Sequence, residues 1–145
     1  MPTRSARTTW TGGLEDGTGT VTLVSSGIAS YEVSFPKRTA DNADGTTSPE
    51  ELIAAAHTAC FAMQFSAMLG AAGGSGQSID VSADVTLGPD PAGGLRISGI
   101  KLTVSGSADG VSPEDFAKIA QDAKNNCPVS KALAATEISL EVVPG

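Results

Sequence analysis

Over the first third of the chain, apolar and polar positions alternate in short runs. Arg7 to Thr11 and Thr18 to Val24 are rich in Thr, Val, Leu and Trp, and Gly12-Gly13 and Asp16-Gly17 supply turns between them. Two short strands are predicted, with Ile28 to Phe35 as a third. Pro36 to Thr47 is polar, contains Lys37-Arg38 and Asp41-Asn42-Ala43-Asp44-Gly45, and reads as a loop. At Ser48 the pattern changes. Ser48 can cap, Pro49 suits a first helical position, and Glu51 completes a capping box, so a helix is predicted from here to about Ala72, where Gly73-Gly74-Ser75-Gly76 stops it. Ser78 to Leu87 and Leu95 to Val104 then alternate as longer strands, and the slip in phase at Gly99 predicts a bulge. Ser112-Pro113-Glu114-Asp115 starts an amphipathic helix that ends at Asn125-Asn126. Cys127-Pro128 opens a short helix to about Leu133, and Glu137 to Val143 closes the chain as a strand. Strands, helix, strands, helices and strand make an α+β class in a single domain, residues 1–145.

The long helix is unusual because no charge follows its first turn. A helix that is apolar or small all round needs cover on nearly every side, which one small domain seldom provides. A partner subunit is therefore expected, and Ala54-Ala55-Ala56 lets another helix come close. A membrane span is the competing reading, since Leu52 to Ile79 carries no charged residue. The segment is mostly Ala, includes His57, Thr58, Gln64 and Ser66, and has no Lys or Arg close to either end, so no membrane is expected. Met1 to Thr11 has no apolar core of a secretory signal, and the expected location is cytoplasmic.

Composition narrows the partners. The net charge is −7, which disfavours nucleic acid and anionic membrane surfaces. Aromatic residues are only 4%, too few for a base-stacking platform. Two cysteines cannot make a disulfide-dense secreted scaffold.

Those cysteines are the first candidates for chemistry. Cys60 in an Ala-rich helix is either a small buried hydrophobe or a nucleophile needing a nearby cation. Cys127 is either a simple cap residue or a thiolate favoured by a helix N-terminus. Together they form a pair able to close a disulfide. Arg38 is either a solvated loop charge or that cation, whose several donors suit a thiolate and a peroxide oxygen, with Glu50 or Glu51 available to orient it. Glu50 and Cys60 lie about 15 Å apart along one helix and cannot share a site within it. Two such helices packed antiparallel about a two-fold axis near Ala55 would bring Glu50 of one chain level with Cys60 of the other. His57, three residues before Cys60, is read as a structural, hydrogen-bonded side chain; with no second His the zinc reading lacks ligands. Gly70 to Gly76 lacks the ending of a phosphate loop and is read as helix termination.

Ser48-Pro49-Glu50-Glu51-Leu52-Ile53-Ala54-Ala55-Ala56-His57-Thr58-Ala59-Cys60-Phe61-Ala62-Met63 resembles the central helix of the OsmC/Ohr family of thiol-dependent hydroperoxidases. Asn126-Cys127-Pro128-Val129-Ser130-Lys131-Ala132-Leu133 resembles that family's second cysteine motif, in the form of its OsmC branch. The resemblance implies an α+β fold of antiparallel sheets wrapped around a long buried central helix, in an intertwined homodimer. It implies reduction of organic hydroperoxides, and more weakly hydrogen peroxide, in oxidative and osmotic stress defence. Cys60 matches the peroxidatic cysteine, Cys127 the resolving cysteine that closes a disulfide with it, Arg38 the arginine that stabilises thiolate and peroxide, and Glu50 the carboxylate that holds the arginine. No metal, haem or flavin is implied, and a dithiol such as dihydrolipoyl groups is the expected reductant. The alternative is a non-enzymatic redox-responsive or ligand-binding dimer using the same two cysteines.

Overall fold

The computed structural model describes residues Met1–Gly145 and divides into two compact units, Met1–Leu52 and Ile53–Gly145. In the first unit, β1 (Arg7–Thr11), β2 (Thr18–Thr22) and β3 (Ser30–Val33) form an antiparallel meander in the order β1-β2-β3. Asp16 makes the first turn, its carboxylate accepting from the Gly13 N–H at 2.8 Å. The predicted loop after β3 is not all loop. Ser34 caps a five-residue helix, α1 (Phe35–Thr39), by accepting from the Lys37 N–H, and Pro36 fits its first turn. The polar composition concealed a helix start of the same type as the one at Ser48.

The 23-residue helix α2 (Pro49–Ala71) begins in the first unit and continues through the second. Ser48 caps it through the Glu51 N–H at 3.2 Å, but Glu51 does not complete the box; its carboxylate takes the Thr47 hydroxyl instead. At the other end Gly73 adopts φ +87°, and the bonds from Gly74 N to Leu69 O and from Gly73 N to Gly70 O form a Schellman stop.

The second unit is built on β4 (Ser75–Pro89), β5 (Leu95–Asp109) and β6 (Ile138–Val142), in that order across the sheet. Both long strands extend beyond their predicted limits, because β4 and β5 pair as one hairpin almost to their ends. The bulge is where Gly99 predicts it: Thr86 pairs with Gly99 and Leu87 with Ile97, leaving Ser98 extra. Gly106 is required by close approach, since at φ +143° a Cβ there would strike the Ser78 carbonyl oxygen. The expectation of purely antiparallel sheets fails at β6, which lies parallel to β5. The connection explains it, because α3 (Pro113–Asn126) and α4 (Pro128–Ala132) carry the chain back across the sheet before β6 begins.

The core sits between this sheet and the helices. Ile79, Val81 and Ala83 of β4, Leu102 and Val104 of β5, and Leu140 and Val142 of β6 pack with Phe116, Ala120 and Ala123 of α3. From α2 come Phe61, Phe65 and Leu69, all fully buried. Phe65 stands edge-on to Phe116 with ring centroids 4.8 Å apart. The expectation that α2 is covered on nearly every side is not met within one chain. Its buried positions recur every four residues, while Ala55, Ala56, Ala59 and Ala67 are open and Met63 is 73% exposed. By length and composition α2 could cross a membrane, yet its phenylalanines are committed to this core.

Phe65→Ala should remove the contact that joins α2 to α3 and cost about 3–5 kcal/mol. Urea unfolding followed by circular dichroism measures it; a loss below about 1 kcal/mol would mean that the site collapses around the gap.

Candidate active site

Two groups of the predicted residues are brought together, one in each unit. In the first, α1 presents Arg38 from its last turn, where a cation suits the helix C-terminal end. The guanidinium meets Glu50 through three contacts: Nε donates to Oε1 at 3.1 Å and to Oε2 at 3.2 Å, and Nη2 donates to Oε1 at 2.7 Å. Glu50 is buried and Arg38 half-buried. The open choice between the two glutamates is thereby resolved, Glu50 holding the arginine and Glu51 the Thr47 hydroxyl. Charge-assisted bonds from two donors of a planar group fix its orientation as well as its charge. Nη1 takes no protein partner and stays available.

In the second unit, Cys60 and Cys127 are both free thiols and stand beside one another. Cys60 is partly accessible and Cys127 fully buried in the core. Cys127 is held from two directions. Its N–H donates to Ala123 O at 2.8 Å, ending α3, and its carbonyl accepts from the Lys131 N–H at 3.0 Å, starting α4.

The helix-terminus argument survives with a different beneficiary. Cys127 occupies the cap position of α4 but its side chain makes no capping bond. Instead the Val129 N–H at the start of α4 acts on the Cys60 sulfur and pulls its pKa down. The donor is free because Pro128 has no N–H and the first turn of a helix leaves its amides unpaired. Burial pushes the Cys60 thiol up more strongly, and the adjacent Cys127 thiol adds to that, so the net direction is upward. A low-pKa Cys60, expected of a nucleophile, is not what these groups produce by themselves. A cation is needed.

His57 is the structural histidine that the sequence suggests. It is fully buried, and its Nε2 lies 2.7 Å from the hydroxyl of Ser130, itself buried on α4. Its Nδ1 has no partner. A proton on Nε2 sits in a hydrogen bond and leaves only a lone pair unmet, whereas a second proton on Nδ1 would be a buried donor with no acceptor. Burial accordingly lowers the His57 pKa, and the ring stays neutral. Neither Val129 nor Ser130 was singled out from sequence. The signals were present: a Pro at the first helical position marks free amides just after it, and Ser130 is a polar residue one turn after Cys127.

Other proteins share this arrangement of chain. A family model for OsmC-like protein matches residues 41–143. Peroxiredoxin OsmC of Escherichia coli strain K12 is 42% identical over 132 residues, covering 91% of this chain and 90% of that protein, and Peroxiredoxin OsmC of Shigella flexneri matches equally. Among crystal structures, an organic hydroperoxide resistance protein from Elizabethkingia anophelis has a TM-score of 0.78 at 28% identity, covering 100% of this chain and 98% of its own. The organic hydroperoxide resistance protein OhrB of Bacillus subtilis has a TM-score of 0.74 at 26% identity, covering 96% of this chain and 98% of its own.

The neutral, buried His57 makes a prediction about acid. Its folded pKa lies below the ordinary 6.5, so as pH falls below that value the unfolded chain takes up a proton that the folded chain refuses. This contribution is complete above pH 6.5 and is lost progressively below it. The stability difference between wild type and His57→Gln should therefore shrink between pH 7.5 and 5, as read by urea titrations. A difference independent of pH would show that His57 titrates alike in both states.

Proposed function

Given that the chain belongs to the OsmC family, we propose that it is a thiol-dependent peroxidase that reduces organic hydroperoxides, with residues 1–145 as one catalytic domain. The observation that carries this reading is the pairing of a partly accessible thiol, Cys60, with a buried one, Cys127, from a distant part of the chain. Relatives named peroxiredoxin and organic hydroperoxide resistance protein support the substrate class.

In the proposed reaction the Cys60 thiolate attacks the terminal oxygen of the hydroperoxide. The O–O bond breaks, the alkoxide leaves and takes a proton as the alcohol, and Cys60 becomes a sulfenic acid. Cys127 then attacks that sulfur, water leaves, and the Cys60–Cys127 disulfide forms. An external dithiol, dihydrolipoyl groups being one candidate, returns both cysteines to thiols and is itself oxidised to a disulfide. Hydrogen peroxide follows the same course more slowly, because an apolar setting favours an organic substituent. The enzyme works in the cytoplasm, against oxidative and osmotic stress.

Burial and Cys127 hold the Cys60 pKa up, so a positive charge has to supply the difference. Arg38, oriented by Glu50, is the candidate. Glu50 and Cys60 are about 15 Å apart along α2, and an antiparallel crossing of two α2 helices near Ala55 brings the Arg38–Glu50 pair of one chain level with Cys60 of the other. The open stripe of Ala55, Ala56, Ala59 and Met63 suits such a crossing. The active form is accordingly a homodimer with two shared sites.

With excess dithiol, wild type should turn over many equivalents of tert-butyl hydroperoxide and Cys60→Ser none, while Cys127→Ser should stop after one oxidation and over-oxidise. Consumption of one equivalent or less by wild type would instead assign the redox-responsive reading. Arg38→Met should move the pH–rate profile to higher pH, because the thiolate loses its cation. Glu50→Gln should lower kcat/KM by about 10- to 100-fold through misplacement of Arg38. A monomer by sedimentation at micromolar concentration, still fully active, would rule out the shared site.

A further inference from the structure

We propose that His57 and Ser130 are a positioning pair for disulfide formation, their hydrogen bond holding the first turn of α4, and with it Cys127 and the Val129 N–H, against Cys60. The proposal deepens the peroxidase reading in its kinetic part, and its equilibrium part holds for any function of the two thiols.

The geometry is that of a strut set one helical turn from the chemistry. His57 is three residues before Cys60 on α2, and Ser130 three residues after Cys127 on α4, so the bond and the two sulfurs lie on matching faces of their helices. At 2.7 Å between two buried side chains, the bond cannot be exchanged for water without opening the contact. The helix it secures needs securing. At five residues, α4 is too short to be stable alone, and the side chain of its cap residue makes no capping bond to it. The other polar tie from α4 to α2 is the Val129 N–H contact to the Cys60 sulfur, a weak acceptor and one of the contacts the pair would hold in place. The remaining hold on α4 is apolar packing by Val129 and Cys127, which fixes depth but little direction. Disulfide formation needs direction, because the Cβ atoms must come within about 3.5–4.5 Å with their bonds suitably turned.

The neutral state of His57 fits this role. A ring that stays neutral keeps one donor for one acceptor, and the strut does not slacken near neutral pH. The unpartnered Nδ1 argues against a relay, since no second group is placed to pass or receive a proton there. His57 and Ser130 thus act through the cysteines, not on the substrate.

The test compares Ser130→Ala, His57→Leu, their combination, and His57→Gln, whose amide nitrogen reaches the place of Nε2. The first readout is the equilibrium in which the reduced protein and oxidised glutathione give the Cys60–Cys127 disulfide and two reduced glutathiones. Ser130→Ala and His57→Leu should each lower that constant roughly tenfold, about 30 mV for a two-electron couple. The combined variant should be no worse than either alone by more than about twofold, and His57→Gln should stay within about threefold of wild type, bounds chosen well inside the tenfold effect. The second readout is dimedone trapping after one equivalent of tert-butyl hydroperoxide, where the Cys60 sulfenic acid should persist roughly tenfold longer in Ser130→Ala, the same factor as in the equilibrium. Constants within twofold of wild type in both single variants would overturn the proposal, as would fully additive losses in the combination. Should His57→Leu fail to fold, the contrast between Ser130→Ala and His57→Gln decides. A wild type that consumes no peroxide would remove the peroxidase reading, and the glutathione equilibrium would still judge the strut.

Discussion

One stripe of α2 has to be buried, and the thiol site follows from that requirement. His57, Phe61, Phe65 and Leu69 recur every four residues and are each removed from solvent. The three apolar members contribute about 1.5–3 kcal/mol apiece by burial, enough to fix the rotation of the helix about its own axis. Once that rotation is set, Cys60 has no freedom of its own. It sits beside the stripe at the edge of the core, close enough to Cys127 to feel it and still reachable from outside. A helix with a charged outer face would tolerate some rolling; this one is held by aromatic rings on the inside.

The same burial sets the site's electrostatic problem. Packing a sulfur against the core favours the neutral thiol, and a second thiol alongside makes ionisation harder still. The Val129 N–H works in the opposite direction without adding a charge. In the proposed reaction the full positive charge comes from Arg38, whose guanidinium is already committed to a carboxylate. Pairing it first has a physical benefit. An unpaired, half-buried guanidinium would wander and be solvated, whereas one held by Glu50 keeps a fixed orientation.

Most of the fold was legible because its signals are local. Ser-Pro-Glu starts, Gly-rich stops, strict alternation along β4 and the phase slip at Gly99 each describe their own neighbourhood, and the structure follows them. The misreadings share a cause. The direction of β6, the diversion of Glu51 to Thr47 and the transfer of the α4 amide from Cys127 to Cys60 all depend on which distant groups compete for a donor or an edge. Spacing along a chain cannot rank such competitors. α1 is a different case, since Ser34 and Pro36 carried the signal and the polar residues after them masked it. The Arg38–Glu50 pair could be anticipated because few cations are available in so acidic a chain.

The parallel seat of β6 has a consequence for how the molecule is made. Neighbouring parallel strands cannot close by a hairpin, so β6 reaches β5 only after the α3–α4 crossover has been laid down, and Cys127 is a residue of that crossover. β6 therefore takes its seat only once the segment that carries the second thiol has been made. On the ribosome Cys60 emerges well before Cys127, so the first thiol is made without the second. The juxtaposition of the two thiols thus depends on a crossover connection that a hairpin topology would not contain.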